Sequence, residues 1–326
     1  MATLETTFAG LKLRNPMIVS SCGLTDSASK NKELCEAGAG AIVLKSLFQE
    51  QIMMEADWMG DPNMYPEGSD YLVGYVRQHK LGEYIQLIRD SKKACCVPII
   101  ASINCYQDAD WADFARQIEE AGADALEVNI LALQTEKEYA YGSFEQRHID
   151  ILRHLKQNVR IPIIMKLGDN LTNPVALIDQ LYANGAAAVV LFNRFYQPDI
   201  DIEKLEQTTG HVFSSPAELG KSLRWAGIAS AAVPQMDYAV SGGVHTAEAV
   251  IKSLLAGASA VEMCSAIYHD RTILSTAPQA IAAWMERQGF ETIASFRGKL
   301  NTADLKGGVN TFERTQFLKY FSSFQG

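Results

Sequence analysis

The sequence lacks an excess of positive charge and lacks a membrane-spanning segment. It has 29 basic residues against 38 acidic residues, which gives a formal net charge of −9 at pH 7. A negative protein disfavours binding to nucleic acid and to anionic membranes, because both carry charge of the same sign. No apolar run reaches the ~18 residues of a spanning helix, and residues 1–20 have no signal-peptide pattern. We therefore expect a soluble cytoplasmic protein that binds a small-molecule substrate.

Cysteine motifs for a metal are also missing. The chain has six cysteines, namely Cys22, Cys35, Cys95, Cys96, Cys105 and Cys264. They lack the paired two-residue spacing of a zinc or iron–sulfur site, so we expect no metal and mostly packing roles in a reducing cytosol. No proline-rich hinge, low-complexity linker or charge block divides the chain. We expect residues 1–326 to form a single domain.

An internal repeat predicts the fold. A helix end, Gly-Ala-x-Ala or a close variant, and an apolar run recur at 37–45, 121–129, 184–192 and 256–264. Between them lie runs that a proline opens, at 97–103, 161–167 and 233–243, and a first run lies at 15–21. Eight apolar runs, each followed by a helical stretch, predict an α/β fold, the (β/α)8 TIM barrel. An open doubly wound sheet is the alternative, which the count of eight disfavours.

The segments outside these runs have separate roles. Residues 4–15 resemble a hairpin that turns at Gly10 and closes the bottom of the barrel. Three long strand-to-helix connections, at 46–80, 130–144 and 193–218, would emerge at the C-terminal face, where barrel proteins bind ligands. They could form an active-site roof or a subunit contact. The aromatic-rich part, 58–75, could equally be a packed surface flap.

Two turns near the end of the barrel are suited to bind phosphate. Ser241-Gly242-Gly243 and Cys264-Ser265-Ala266 each end an apolar run and precede a helix. The two glycines can adopt positive φ and expose backbone N–H groups to an anion, and helix N-termini favour the same charge. Two ordinary strand-to-helix turns are the alternative interpretation.

Polar residues at the predicted strand ends are the candidates for chemistry. They are Ser20, Ser21, Lys45, Ser46, Asn104, Cys105, Asn129, Lys166, Asn193, Ser241, Cys264 and Ser265. A buried lysine needs a counter-charge, and no acidic residue is found at these ends. An anionic ligand would supply that charge. The set therefore predicts a bound phosphorylated cofactor.

Residues 99–129 and 241–270 resemble the flavin-binding barrel of dihydropyrimidine dehydrogenase and, more broadly, class 1 dihydroorotate dehydrogenase. The resemblance covers roughly residues 4–290 and implies an FMN cofactor. It places Ser21, Lys45, Ser46, Asn129 and Lys166 near the flavin ring or ribityl chain, Asn193 near flavin and substrate, and Ser215 beside the cofactor. It also implies that Ser241, Gly242, Gly243, Cys264 and Ser265 hold the 5′-phosphate.

The resemblance breaks at the acid/base position. The family motif is Asn-x-Ser-Cys-Pro, or a serine variant, whereas this chain places Ala132 where the cysteine would stand. Alanine cannot transfer a proton. Ser143 and Tyr141, in the loop 130–144, are weak candidate replacements, and Arg194 falls where the family has a small polar residue.

These observations lead to a main hypothesis and two alternatives. The main one is an FMN-dependent oxidoreductase of pyrimidine metabolism that acts on the CH–CH group of a small pyrimidine-like or carboxylated substrate. The first alternative is a flavin-binding electron-transfer or regulatory subunit, and the second is a barrel for another phosphorylated ligand. The resemblance implies a homodimer. Because the cysteines form no iron–sulfur motif, onward electron transfer would need a separate partner chain.

Overall fold

The chain forms a closed barrel of eight parallel strands surrounded by helices. The computed structural model describes residues 2–48, 66–104 and 111–303. The barrel strands are β3 (Met17–Val19), β4 (Ala41–Val43), β6 (Ile99–Asn104), β7 (Ala125–Asn129), β8 (Ile163–Leu167), β9 (Ala188–Leu191), β12 (Asp237–Ser241) and β13 (Ala260–Met263). Strand β4 pairs with both β3 and β6, which closes the ring. The predicted (β/α)8 barrel is confirmed, since each of the eight apolar runs contains one of these strands.

Helices follow the strands around the outside of the barrel. Their bounds are Ala28–Ala37, Pro66–Ala94, Trp111–Glu120, Ser143–Asn158, Pro174–Ala183, Leu219–Ala232, Ala247–Leu255, Ser265–His269 and Ile273–Gln288, with 3-10 turns at Pro216–Glu218 and Ile293–Ser295. Local capping explains some of these boundaries. Thr246, for example, accepts a hydrogen bond from the amide of Ala249 at the start of its helix. No helix of the described ranges is long and apolar enough to cross a membrane.

Strand residues alternate between the outside and the inside of the barrel. Side chains facing outward pack against the helices in the main hydrophobic core. The inward side chains nearest the N-terminal end are small or branched and apolar: Ile18, Ala41, Ile100, Ala125, Ile164, Ala188, Ala239 and Ala260. The next inward positions are Ser20, Val43, Ser102, Glu127, Lys166, Val190, Ser241 and Glu262. The barrel interior therefore changes from apolar to mostly polar within two residues.

The N-terminal hairpin closes the apolar end of the barrel. Strands β1 (Thr6–Phe8) and β2 (Leu11–Leu13) pair antiparallel around a turn at Ala9 and Gly10. Phe8 and Leu13 are buried against the interior alanines, and the amide of Ala9 donates a hydrogen bond to Asp237 at the start of β12. The predicted hairpin turning at Gly10 is confirmed, and its packing explains why alanine suffices on several strands.

The predicted connection 46–80 is shorter than expected, because residues 66–80 belong to the helix Pro66–Ala94. Its buried residues Val76, Leu81, Tyr84 and Ile88 recur at helical spacing, and the Tyr84 hydroxyl donates to the carbonyl of Ser102 on β6. A short strand, β5 (Leu47–Phe48), precedes it and pairs with β6. The remainder of the aromatic-rich segment and Cys105 lie outside the described residues.

The other two long connections are present. Residues 130–142 separate β7 from the helix Ser143–Asn158, and residues 192–215 separate β9 from the 3-10 turn Pro216–Glu218. The second connection contains an antiparallel hairpin, formed by β10 (Pro198–Asp201) and β11 (Glu206–Thr209). The connection after β9 therefore contains a β-hairpin, rather than only irregular loop, above the C-terminal face of the barrel.

The hairpin packing predicts a stability difference between two leucines. Leu13→Ala removes a fully buried side chain and should lower the free energy of unfolding by about 2–5 kcal/mol. Leu133→Ala removes a leucine that is 62% exposed and should change it by less than about 0.5 kcal/mol. Denaturant unfolding followed by circular dichroism measures both. Equal stability of the two variants would show that the hairpin is not part of the barrel core.

Candidate active site

A cleft opens at the C-terminal ends of the barrel strands. Its inner part is a cavity of about 160 Å³ lined by residues that include Ser20, Ser21, Lys166 and Glu262. Its outer part, about 910 Å³, lies under the connection 192–215. The two parts share Asn193, Arg194, Val212, Ser214, Ser241 and Gly242. The strand ends of β3, β8, β12 and β13 thus meet in one site, as the sequence predicts.

A buried ion-pair cluster forms the floor of the inner cavity. The ammonium group of Lys166 donates to Glu262 Oε2 at 2.6 Å and to Ser20 Oγ at 2.9 Å, and it lies 3.5 Å from Glu127 Oε1. Ser102 also donates to Glu127 Oε1, at 3.1 Å. The expectation that Lys166 lacks an acidic partner is wrong, because it contacts Glu127 on the adjacent strand β7 and Glu262 on β13 across the barrel interior.

Burial and charge shift the pKa values of this cluster in different directions. Burial, followed by the negative charge of Glu262, raises the pKa of Glu127 well above its usual range. Burial also acts to raise the pKa of Glu262, but the Lys166 charge and hydrogen bonds from its neighbours lower it overall. Burial acts to lower the pKa of Lys166, yet the charges of the two glutamates raise it. These shifts favour the charged forms of Lys166 and Glu262 and the protonated form of Glu127.

Glu127 and Glu262 were not among the predicted site residues, because the prediction used only the last residues of each predicted strand. Each glutamate stands two residues before a predicted strand end, Asn129 or Cys264, at the same position of the repeats 121–129 and 256–264. Two residues is the period of a strand, so both side chains point inward with the strand-end residues. An acidic residue at an inward position of an apolar strand was the signal that could have revealed them.

The turn after β12 has the geometry expected of an anion-binding turn. Gly242 and Gly243 have φ angles of 85° and 74°, which favour glycine. A Cβ atom at Gly243 would lie 2.3 Å from the amide nitrogen of Leu219, whereas one at Gly242 would meet nothing within 4 Å. Gly243 therefore permits close packing against the start of the preceding helix, Leu219–Ala232, and Gly242 borders the open cleft.

The turn after β13 adjoins the first. Ser265 begins the helix Ser265–His269, and its hydroxyl oxygen accepts a hydrogen bond from the amide of Ser214 at 2.9 Å. The Ser265 hydroxyl hydrogen is left available to an anion. Cys264 and Ser265 line the same inner cavity as Gly242 and Gly243. The structure thus brings together all five residues predicted to hold a phosphate: Ser241, Gly242, Gly243, Cys264 and Ser265.

Polar residues from the early strands form a chain of hydrogen bonds. The hydroxyl of Ser21 lies 2.9 Å from that of Ser46, and Ser46 lies 2.8 Å from Ser102. On the other side, the Asn193 amide donates to Asn129 Oδ1 at 2.9 Å. Ser21 and Asn193, which line the cleft, are therefore held in fixed orientations by Ser46 and Asn129.

Two predicted cofactor residues lie apart from the floor cluster. Lys45 is exposed, and it borders a separate depression with Asp26, Lys80 and Glu83. Ser215 lies at the outer cleft, where its amide donates to Glu218 Oε1 at 2.7 Å and caps the 3-10 turn. The structure consequently places one predicted lysine, Lys166, at the cleft floor and the other outside it.

Arg194 fixes the roof of the cleft. Its guanidinium donates to Glu218 Oε2 at 2.8 Å and to the carbonyl oxygens of His211 and Val212 at 2.8 and 2.9 Å. A small polar residue could not span these three acceptors. Arg194, which departs from the family pattern, therefore joins the end of β9 to the connection above it.

The acid/base position and its candidate replacements lie away from the cleft walls. The carbonyl of Ala132 accepts a hydrogen bond from Asn170 at 2.9 Å. Tyr141 is 99% exposed and Ser143 is also exposed. None of these three residues lines the inner or outer cavity.

The closed barrel, its paired glycine and serine turns, and the buried lysine define the chain as a (β/α)8 barrel with a polar cleft at the C-terminal ends of its strands. A profile of the dihydroorotate dehydrogenase family matches residues 3–285, and the chain therefore belongs to that family. Its members are FMN-dependent flavoenzymes, so the expected family and the expected class of oxidoreductase are both confirmed.

Individual relatives match over nearly their whole lengths. The catalytic subunit of dihydroorotate dehydrogenase B (NAD(+)) from Thermoplasma volcanium is 29% identical over 308 residues, which cover 91% of this chain and 98% of that protein. The same subunit from Methanosarcina mazei is 29% identical, with coverages of 90% and 93%. Dihydroorotate dehydrogenase A (fumarate) from Lactobacillus delbrueckii subsp. bulgaricus is 25% identical, with coverages of 92% and 99%.

Cys22 gives the site a pH-dependent chemical marker. A hydrogen bond from Cys264 is the main cause that lowers the pKa of the Cys22 thiol to about 7, whereas burial raises the pKa of Cys95 to about 11. Alkylation by iodoacetamide should therefore rise through pH 7 at Cys22 and stay low at Cys95, because the thiolate is the reactive form. Peptide mass spectrometry measures both sites in one sample.

The variant Cys264→Ala tests the cause of that shift. Alanine cannot donate a hydrogen bond to the Cys22 sulfur, so the midpoint of Cys22 alkylation should move toward the ordinary cysteine range. An unchanged midpoint near pH 7 in this variant would contradict the assigned role of Cys264. Alkylation of Cys95 serves as the internal control, since it lies beside Cys35 and Cys96 and not beside Cys264.

Proposed function

We propose that this chain is an FMN-dependent oxidoreductase that acts on the CH–CH group of a small pyrimidine-like or carboxylated substrate. One observation carries the proposal: the glycine and serine turns adjoin a cavity whose floor holds a charged lysine. Phosphate binding and stabilisation of a negatively charged ring are the two functions that a reduced flavin needs from a protein. Both lie within one cleft here.

The residues present fit FMN. Gly242 leaves open space where a Cβ would stand, and the adjoining turn supplies a serine hydroxyl, so a phosphate would be held by Ser241, Gly242, Gly243, Cys264 and Ser265. Lys166 and the hydrogen-bonded Ser21, Ser46, Asn129 and Asn193 would contact the ring and ribityl chain. Ser215 would border the cofactor from the outer cleft. Lys45 could join this set only through a rearrangement of its exposed side chain.

Bound FMN would supply hydride exchange with a carbon next to a carbonyl group. The chain's own contribution is to bind and orient that cofactor and to place positive charge below it. Proton transfer at the neighbouring carbon needs an acid or base, and Ala132 provides none. We propose that the usual cysteine or serine base is replaced by alanine, and that Ser143 and Tyr141 do not take its place, because both are exposed outside the cleft.

This loss supports a second candidate function. A protein that retains the FMN site but lacks the family base could serve as a flavin-binding electron-transfer or regulatory subunit without pyrimidine dehydrogenase activity. The relatives from Thermoplasma and Methanosarcina are named catalytic subunits. That name agrees with the main proposal, in which this chain is the oxidoreductase and a separate chain transfers the electrons. Reduction of the bound flavin by candidate substrates distinguishes the two functions.

Several further features of the protein remain proposals. We propose a single FMN-binding domain over residues 1–326, a cytoplasmic location and a homodimer. The match of a single family model to residues 3–285 supports one domain. The hairpin β10–β11, with Ile200 and Ile202 both exposed, offers apolar surface for a subunit contact. Light scattering at micromolar concentration distinguishes a dimer from a monomer.

Gly242 is the sharpest test of cofactor binding. Gly242→Ala places a methyl group in the open space beside the proposed phosphate position, so FMN should bind about tenfold more weakly or worse, a loss of ~1.4 kcal/mol or more. Gly289→Ala is a matched control, because Gly289 also has a positive φ and open surroundings but lies at a helix end far along the chain. Fluorescence titration of the apoprotein with FMN measures both.

Comparison of the two variants separates the effect of backbone strain from the effect of a methyl group that fills the proposed phosphate position. Both alanines adopt a strained positive φ, so both variants should lose similar stability. Equal FMN affinity in Gly242→Ala and Gly289→Ala would remove the turn from the binding site.

Dihydroorotate tests the alanine at the acid/base position. General base catalysis typically contributes a factor of about 10²–10⁴, so reduction of bound FMN by dihydroorotate should be slower than about 0.1 per second, against ~10 per second for an ordinary enzyme. Ala132→Cys should restore little, because Leu131 and Leu133 replace the polar neighbours that would position a substrate. Anaerobic stopped-flow absorbance measures the rate. Reduction at ~10 per second by the unmodified protein would refute the proposal.

A further inference from the structure

We propose that Glu127 and Glu262 form a buried carboxyl pair that shares one proton and positions the Lys166 ammonium group at the cleft floor. In this arrangement one carboxylate always neutralises Lys166, and the pair sets how much positive charge the bound cofactor experiences. The inference rests on the proposed function for its effect on the cofactor. The shared proton itself depends only on the residues of the chain.

The geometry uses all three hydrogens of Lys166. Glu262 Oε2, Ser20 Oγ and Glu127 Oε1 lie 2.6, 2.9 and 3.5 Å from its nitrogen. All of these side chains are buried. The two glutamates and Ser20 therefore fix the position of the ammonium group, and its positive charge acts on the cleft through space.

One proton resolves the charge balance of the cluster. If both carboxyl groups were ionised, the buried set would carry an uncompensated negative charge, which is unfavourable for buried groups. Burial and the Glu262 charge raise the pKa of Glu127, which leaves the proton there. The second oxygen of Glu127, Oε2, is buried and has no hydrogen-bond partner apart from what that proton can provide. A protonated Glu127 that donates to Glu262 removes this deficit.

The fold does not require carboxyl groups at these positions. The other two copies of the repeat place Val43 and Val190 at the positions of Glu127 and Glu262, and both valines are fully buried inside the barrel. An apolar side chain therefore satisfies the packing. Acidic residues are almost never fully buried without a partner, so the two glutamates mark a functional requirement around Lys166.

The pair controls the charge that faces the cofactor. A lysine neutralised by a carboxylate favours the negatively charged, reduced form of a flavin less than an unpaired lysine does. Because the pair shares one proton, removal of either glutamate lets the remaining one ionise and keeps Lys166 neutralised. Removal of both leaves the lysine charge uncompensated. The effects of the two substitutions on the reduction potential should therefore be strongly non-additive.

The first experiment detects the shared proton. Infrared difference spectra in H2O and D2O at neutral pH should show one buried protonated carboxyl group in the full-length protein, with or without FMN. That band should disappear in Glu127→Gln and also in Glu262→Gln, because the remaining carboxyl group ionises. It should persist in the control Glu286→Gln, which removes an exposed glutamate. Absence of the band from the unmodified protein, or its persistence in Glu127→Gln, would overturn the proposal.

The second experiment measures the reduction potential of bound FMN by equilibration with a dye. Each single glutamine variant should shift the equilibrium between oxidised and reduced flavin by less than about twofold, whereas the double variant should shift it about tenfold or more toward the reduced form. If each single variant shifted the equilibrium and the two shifts added up to that of the double variant, the result would contradict a shared proton. If the double variant does not fold, the infrared band of the unmodified protein and of the two single variants still tests whether the pair shares a proton.

The two experiments separate this inference from the proposed function. Failure to bind FMN would refute the proposed function, and the infrared result on the unloaded protein would stand. A bound flavin with no protonated carboxyl band would refute the pair while leaving the FMN site intact.

Discussion

The structure depends on filling the interior of an eight-stranded barrel. Every parallel strand directs alternate side chains inward, so the interior must hold whatever the sequence places at those positions. At the N-terminal end, alanine and isoleucine leave room that Phe8 and Leu13 of the hairpin occupy. One step higher, serines, two glutamates and Lys166 replace the apolar side chains. The same alternation thus produces a dry core below and a charged cleft floor above, without any change of backbone.

Much of this architecture was predictable because it follows from local patterns. The repeated glycine before four apolar runs and the prolines that open three others located seven of the eight barrel strands, and the run at 15–21 supplied the first. The positive φ angles of Gly242 and Gly243 followed from their place between a strand and a helix. Strand ends also identified Lys166, Asn129 and Asn193 at the cleft, because the ends of parallel strands lie on one face. In each case, a short stretch of sequence contains the physical cause.

What could not be predicted depends on contacts between distant segments. Both lysines were predicted at strand ends, yet Lys166 lies within β8, whereas Lys45 lies two residues beyond the end of β4 and is exposed beside Lys80 and Glu83. Arg194 joins the end of β9 to a segment about twenty residues later, and no local pattern announces that contact. Glu127 and Glu262 differ from Lys45 and Arg194, because their positions in the repeats already indicate that their side chains point into the barrel. A search two residues before each strand end would have found them.

The distribution of residues explains how the site can keep a cofactor while its chemistry changes. Lys166, Glu127, Glu262 and the two turns lie on or directly after strands, where the packed barrel fixes them. Ala132 lies in the connection 130–142, whose backbone is held to the barrel by contacts such as the hydrogen bond from Asn170. A side chain in such a connection can be replaced without disturbing the interior. Loss of a base at Ala132 is therefore compatible with an intact cofactor site, whereas a change at Lys166 would have to be matched by both glutamates.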